Sequence, residues 1–378
     1  MRQQYEPSAD RIIALYQQLE DDILSAVIRR ILKMGYVSEA SKHQLEVLQA
    51  AGLLYDDIVQ LIADRTDACT AQVKALFEDA GVQTVEIDNS LHEAAGALPI
   101  DIRQDSSTRQ VLEAGYKKTL GTMQNLVSTT ATQTQTAFIQ TCDRIYMQVS
   151  SGAFSYQEAI MNALRALADT GATVSYPTGH TDRMDVAVRR CVLTGVSQTA
   201  AAVSLRQAED AGCYLMEITA HSGARPDHAK WQGQLVTITG KDAGKIIDGL
   251  RVFTLSEIGY GSGEGFKGWN CRHNWHAYYP GFSTPNYTPE ELKRLDEPCI
   301  SYNGKLYTEY EVSQMQRAQE RRVRAWKRRC ITAQEGVNSA TDEATRATAQ
   351  AEFDRSARYL KNNEAKLKDF CRKTGQDR

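Results

Sequence analysis

The sequence predicts a mainly helical α+β protein: a long helical N-terminal region, a small mixed α/β module and a C-terminal helical arm. Three observations predict it. Apolar residues recur at three- and four-residue steps through most of residues 8–210. At Cys213 the texture changes to short runs of strand formers, with frequent Gly and Trp through Gly281. From Thr308 the helical spacing returns. The corresponding boundaries are 1–170 for the N-terminal helices, 171–308 for the module and 309–378 for the arm. Within the module, a linker and helix fill 171–212 and the α+β core fills 213–308.

The first helix is predicted from about Ser8 to Leu32, where Ile12, Ile13, Leu15, Tyr16, Leu19, Ile23, Val27 and Ile31 recur at mostly three- and four-residue steps. Gly35 breaks it, Ser38 can cap a second short helix, and Leu53 to Ala80 continues with Ile58, Leu61, Val73 and Phe77. Gly81 to Ser107 is less regular, punctuated by Gly96 and Pro99. Thr108 to Val149 reads as a long helix whose Thr129–Thr136 stretch is polar but uncharged. That suits a helix resting on neighbours, with a solvated helix as the other reading. Tyr156 to Asp169 and Asp182 to Gly212 are further helices, separated by a linker at Gly171 to Gly179.

In the module, Cys213 to Ala220 and Leu235 to Thr239 read as strands. Asn303-Gly304 sits between two strand-like runs and predicts a hairpin turn with positive φ at both residues. The arm is predicted as helix interrupted near Gly336-Val337-Asn338. Its sparse apolar residues imply that it lies along the N-terminal helices or orders on a partner.

The chain has 378 residues, which favours two or three structural units. A 42% hydrophobic and 24% charged composition excludes disorder and collagen-like classes. No run of about 18 uncharged apolar residues occurs, and the N-terminus lacks signal-peptide regions, so a cytoplasmic protein with no membrane partner is expected. The eight cysteines include no CxxC pair and are expected as free thiols. A net charge of -3 gives no global reason for nucleic-acid binding.

Two segments concentrate chemistry. His221-Ser-Gly-Ala-Arg-Pro-Asp-His-Ala-Lys-Trp-Gln-Gly233 is followed by a glycine cluster at 259–268 that closes on Trp269-Asn270-Cys271-Arg272-His273. The expected work of the glycines is to fold the chain over the sheet and bring the second segment to the first; a phosphate loop is excluded because no Lys-Ser/Thr ending follows.

In the packing reading, Arg225 clamps carbonyls or a carboxylate such as Asp227 or Glu217, while His228 and His273 donate to loop carbonyls. Trp231 and Trp269 close the apolar side, and Pro226 fixes the turn. A zinc site drawn from His221, His228, Cys271, His273 and His276 is the sharper alternative, although Cys271-Arg-His273 lacks familiar ligand spacing. A third reading makes Cys271 a nucleophile with His228 or His273 as base. The packing reading is adopted here, with no metal, cofactor or catalytic residue assigned.

Residues 221–233, Gly268 to His273 and Tyr278-Tyr-Pro-Gly281 together resemble the signature of the phage minor capsid protein 2 family, and the resemblance implies that 171–308 is a minor-capsid signature module. Asp182 to Gln198, with Arg189-Arg190 and Thr194-Gly-Val-Ser-Gln198, is similar to the helix that precedes that signature. A more distant similarity links Arg-Pro-x-His and the later Asn-Cys-Arg to the Mu-type head morphogenesis domain. The resemblance implies a structural virion protein of a tailed bacteriophage, acting in head assembly beside portal or major capsid subunits. A metal-dependent hydrolase or toxin-like effector carried in the virion is the alternative.

One uneven charge feature remains. Arg317, Arg321, Arg322, Arg324, Lys327, Arg328 and Arg329 face the single acid Glu320, which predicts contact with packaged double-stranded DNA or an acidic partner, against the plainer reading of a solvated helix face.

Overall fold

The computed structural model describes residues 6–96, 98–102 and 104–376. In chain order the elements are α1 (Glu6–Met34), α2 (Ala40–Ala94), α3 (Ser106–Ser150), α4 (Tyr156–Thr170), β1 (Thr173–Ser175), β2 (Thr181–Arg183) and α5 (Met184–Asp210). Then come β3 (Leu215–Ile218), β4 (Leu235–Thr237), β5 (Ile246–Ile247), β6 (Leu250–Thr254), β7 (Trp275–Tyr278), α6 (Pro289–Leu295), β8 (Ile300–Tyr302), β9 (Lys305–Tyr307), α7 (Glu309–Ser339) and α8 (Glu343–Thr374). A mainly helical α+β protein is what these elements form.

They assemble into two compact units, each drawn from three separated stretches. The first comprises Met1–Arg11, Thr70–Thr122 and Arg189–Gln314; the second comprises Ile12–Cys69, Met123–Val188 and Met315–Arg378.

In the first unit a five-stranded sheet runs in the order β5-β6-β4-β3-β7, with β4 and β6 parallel and the remaining pairs antiparallel. The two-residue alternation sorts its side chains. Met216, Ile218, Val236, Phe253, Trp275 and Ala277 join Ala201 and Ala208 of α5 in one core. Leu215, Leu235, Leu250, Val252 and Tyr278 fill a smaller core on the other face. Because both faces are covered, every residue of β3 and β4 is buried. The helices α3 and α5 approach closely in this unit. A Cβ at Gly115 would lie 2.0 Å from Thr199 Oγ1, and a Cβ at Gly195 would lie 2.0 Å from Thr119 Oγ1, so the two glycines receive the two threonines reciprocally.

In the second unit α1 buries Ile12, Tyr16, Leu19, Ile23, Val27 and Ile31. They belong to the predicted periodic set of that helix, of which Leu15 is only half-buried. Phe138, Cys142 and Ile145 of α3 and Ile160, Leu164 and Leu167 of α4 are buried as well. The uncharged Thr/Gln stretch rests on neighbours: Thr130 and Thr134 are buried, and Gln135 Nε2 donates to the Ala51 carbonyl at 3.2 Å. On α8, Leu367, Phe370 and Cys371 are buried, and the Glu352 carboxylate receives Arg165 of α4 at 2.7 Å. The last helix is therefore anchored within the N-terminal helices.

Several boundaries differ from expectation for identifiable reasons. The predicted irregular stretch after Gly81 is helical as far as Ala94. Gly81 there is a point of close approach, where a Cβ would meet Leu112 at 2.6 Å. The linker at 171–179 contains β1 and the turn into β2, and Ser175 N donates to Thr129 Oγ1 at 2.9 Å. The C-terminal interruption falls at 340–342, where Asp342 caps α8 by accepting from Thr345 N. Gly336 stays helical because its bare face admits Leu164 and Ala349. At the Asn303-Gly304 turn the φ angles are 51° and 77°, as the composition requires.

Candidate functional site

The candidate site belongs to the first unit and is built from the two loops that the sequence singled out. The motif loop leaves β3 at Ile218 and is tied back where Gly233 N donates to the Ile218 carbonyl at 2.9 Å, with Gly233 at φ 67°. Midway, Pro226–His228 forms one 3₁₀ turn with proline at its start. The glycine loop folds on itself through Phe266 N to Ile258 O at 2.9 Å and Trp269 N to Gly263 O at 2.7 Å. A Cβ at Gly265 would lie 2.1 Å from Gly259 O and one at Gly268 would lie 2.0 Å from Ser262 O, so backbone packs on backbone where no side chain fits. Lys267 and Asn270 adopt positive φ at the exit of this loop, a strained state for the lysine and one that asparagine tolerates.

These folds bring together what is distant in sequence. His228 Nδ1 lies 3.4 Å from His273 Nδ1, and Cys271 Sγ lies 3.7 Å from the same atom. All three side chains are buried. Their outer atoms are held as well: His228 Nε2 is 2.9 Å from the Glu264 carbonyl, and His273 Nε2 is 3.1 Å from Gln232 Oε1. Gln232 Oε1 also accepts from His221 N at 3.3 Å, which fixes the orientation of the amide. Trp231 closes the inner side, edge-on to His273 at 4.7 Å and to Phe266 at 5.6 Å.

Electrostatics follow from burial. Desolvation pushes the His273 imidazole down to about 2, with the neighbouring His221, His228, Lys267 and Arg225 adding to the effect. His228 and His221 are lowered for the same first reason. Burial raises the Cys271 thiol and lowers the Lys267 ammonium to about 8. At neutral pH the cluster consists of neutral imidazoles and a neutral thiol.

The placement of the other expected residues is mixed. Arg225 clamps Asp227 through Nε at 3.2 Å and Nη2 at 3.0 Å, and also donates to the Glu264 carbonyl. Glu217 takes no part in that clamp. It is fully buried and accepts instead from Asn286 N at 2.9 Å and Asn286 Nδ2 at 2.8 Å, with His276 Nε2 at 3.3 Å. His276 is thereby committed away from the cluster. Only His228 has a carbonyl partner as expected, since His273 uses a side-chain amide.

Trp269 is 56% exposed and lies over Gly263, so it does not close the apolar side; Trp275 of β7 fills that role. Asn270 and Arg272 are also exposed. Gln232, Glu264 and Lys267 are partners that composition and spacing do not reveal. All three stand inside the two segments singled out above, but nothing in the sequence says which atoms they meet.

The basic run belongs to the second unit and is not a uniform patch. Arg328 is 2% exposed, pairs with Glu20 at 3.7 Å and donates to the Ala168 carbonyl at 2.8 Å. Arg324 pairs with buried Asp185, and Arg329 forks onto Asp169 at 3.0 and 2.8 Å. These three are withdrawn from any outward patch because a buried or half-buried cation needs a counter-charge. Arg321, Arg322 and Lys327 remain exposed.

Fold and site thus define a mainly helical α+β protein whose small sheet carries two cross-bonded loops. The chain belongs to the phage minor capsid protein 2 family, whose sequence profile matches residues 2–372. It is similar to a structural protein of Lactococcus phage LL-H, 24% identical over 333 residues that cover 85% of this chain and 86% of that protein. A structural protein of Lactococcus phage mv4 is 37% identical over 81 residues, which cover 21% of this chain and 57% of that protein. No solved structure matches the chain.

Proposed function

We propose that the protein is a minor component of a tailed-phage head that acts in assembly by binding portal or major capsid subunits, without catalytic turnover. The observation that carries the reading is the family match along nearly the whole chain, with phage structural proteins as relatives. In this reading the motif residues of segment 171–308 (His221, Arg225, Asp227, His228, Trp231, Gly233, Cys271 and His273) make a rigid module, and helices present the contact surfaces. Leu45, Leu48 and Leu53 of α2 are 59%, 61% and 59% exposed. They follow the i, i+3, i+8 spacing of one helix face, and a cluster of exposed leucines is the usual mark of a protein contact. The exposed Arg321, Arg322 and Lys327 supply the charge that would meet packaged DNA or an acidic subunit. Among the described helices none is long and apolar enough to cross a membrane.

The arm 309–378 cannot be tested by deletion, because Arg324, Arg328 and Phe370 are structural in the second unit. Surface variants avoid this. Leu45→Asp/Leu48→Asp and, separately, Arg321→Glu/Arg322→Glu/Lys327→Glu are introduced into the phage genome, and the protein is quantified in purified heads. The leucine variant is expected to fold normally and be depleted from heads. Wild-type levels of both variants in fully packaged heads would refute the assigned surfaces.

A further inference from the structure

The proton count at the His228–Cys271–His273 cluster does not close. His228 Nε2 faces the Glu264 carbonyl, an acceptor, at 2.9 Å and so carries the ring proton. Arg225 Nη2, 3.0 Å from the same nitrogen, has its two protons taken by Asp227 and Glu264 and none left for the imidazole. His273 Nε2 faces Gln232 Oε1, whose identity as oxygen is fixed by the His221 N–H, so it too carries its ring proton outward. Both Nδ1 atoms therefore present bare lone pairs to each other at 3.4 Å. The Cys271 thiol can satisfy one of them and not both. Two buried acceptors aimed at one point call for a cation between them.

We propose that His228 Nδ1, His273 Nδ1 and Cys271 Sγ bind a zinc ion that staples the motif loop to the segment before β7. Tetrahedral zinc with Zn–N near 2.05 Å and Zn–S near 2.3 Å sets ligand edges of about 3.3 Å for N···N and about 3.6 Å for N···S. The observed separations are 3.4 and 3.7 Å, and the three ligand atoms all lie within 4.8 Å of one another. Hydrogen bonds from the outer ring nitrogens to a carbonyl and an amide oxygen are what orient histidines for a metal. On binding, the Cys271 thiol loses its proton to solvent and the thiolate takes the zinc: Zn²⁺ plus R–SH gives Zn–SR⁺ plus H⁺. His221 borders this set without belonging to it, since the atoms within 4.8 Å of one another are those of His228, Cys271 and His273. Its ring packs on His273 at a centroid distance of 4.4 Å, its Nδ1 donates to Ser222 O at 2.8 Å, and its buried Nε2 has no hydrogen-bond partner. This inference rests on the loop geometry and is independent of the assembly reading.

The test uses the full chain, purified without a metal-affinity tag. Elemental analysis is expected to find near-stoichiometric zinc that survives gel filtration. Replacing zinc with Co²⁺ should give an intense thiolate-to-cobalt charge-transfer band that Cys271→Ser abolishes while circular dichroism is unchanged. Gln232→Leu, which removes the acceptor shared by His273 Nε2 and His221 N and touches no ligand atom, is expected to weaken zinc affinity about 10–100-fold. If Cys271→Ser does not fold, X-ray absorption of the wild-type protein decides, with mixed nitrogen and sulfur ligation expected. Protein that holds no zinc and gives no thiolate band on cobalt titration overturns the proposal, as does zinc ligated without sulfur.

Discussion

Gly115→Ala and Gly121→Ala are the same substitution six residues apart on α3, and the structure assigns them opposite signs. At Gly121 nothing lies within 4 Å of an added Cβ. The change should be stabilising by up to about 1 kcal/mol, because glycine is the costlier residue in a helix interior. At Gly115 the new methyl would sit 2.0 Å from Thr199 Oγ1, 2.7 Å from Cγ2 and 2.9 Å from Cβ. Rotating χ1 can move the first two atoms, although a β-branched residue in a helix has little freedom to do so. It cannot move Cβ. Restoring a carbon contact of about 3.5 Å requires the helices to part by roughly 0.6 Å or more, an overpacking cost of about 1–3 kcal/mol.

Urea unfolding followed by fluorescence reads the effect in a Trp326→Phe background, where the remaining tryptophans, Trp231, Trp269 and Trp275, all belong to the first unit. With m of about 2–3 kcal/mol/M, the midpoint should fall by roughly 0.3–1.5 M for Gly115→Ala and rise for Gly121→Ala. Adding Thr199→Gly to Gly115→Ala should return part of the loss, a coupling of about 0.5–3 kcal/mol. A stabilising Gly115→Ala, or no coupling with Thr199, would refute the reciprocal packing of glycine and threonine.

Two further outcomes are expected. Asp88 is buried, its Oδ2 lacks a partner, and desolvation raises its pKa to about 6. A carboxyl raised in the folded state contributes stability that is complete below its unfolded value of about 4 and is lost as pH rises through 6. Asp88→Asn should therefore exceed wild type by up to about 2–3 kcal/mol at pH 8, with the advantage vanishing toward pH 4; an equal advantage at both pH values would contradict this. Arg328→Met strands the Glu20 carboxylate, whose pKa burial already raises, and should cost about 3–5 kcal/mol near neutral pH. Thermal melts of Arg328→Met and of Glu20→Gln/Arg328→Met check it: the double variant should recover much of the loss, and a double no better than the single would show that the Ala168 carbonyl contact carries the effect.

The readable features are those set by local physics. The buried face of α1, the Asn303-Gly304 hairpin and the strand alternation around Met216 and Val236 follow from periodicity and turn chemistry within a few residues. Glycine was ambiguous for a physical reason. At Gly35 it ends a helix with φ 68°, whereas at Gly81, Gly115, Gly195 and Gly336 it admits a neighbour, and only the neighbour distinguishes the two uses. The counter-charges of the basic run are hidden for the same reason, since Glu20, Asp169 and Asp185, which neutralise Arg328, Arg329 and Arg324, are at least 139 positions away in the chain. At the site, the two dense segments were legible from composition. Their meeting atoms were not, because the orientation of His228 and His273 depends on Glu264 and Gln232.

Packing and metal binding are compatible roles for the motif. Arg225, Pro226, Gly233 and the glycine loop act as the packing reading requires, satisfying backbone groups that no strand ladder reaches. What packing leaves over is one proton too few among three buried side chains, with His228 and His273 separated by 45 residues. A zinc ion removes that deficit and joins loops otherwise held by scattered single hydrogen bonds, a gain that comes as folding free energy. A staple of this kind stiffens the loops before β7 and needs no substrate. The same argument sets the condition for the rival enzymatic reading: three protein ligands leave a fourth position, and turnover would need that position open to water.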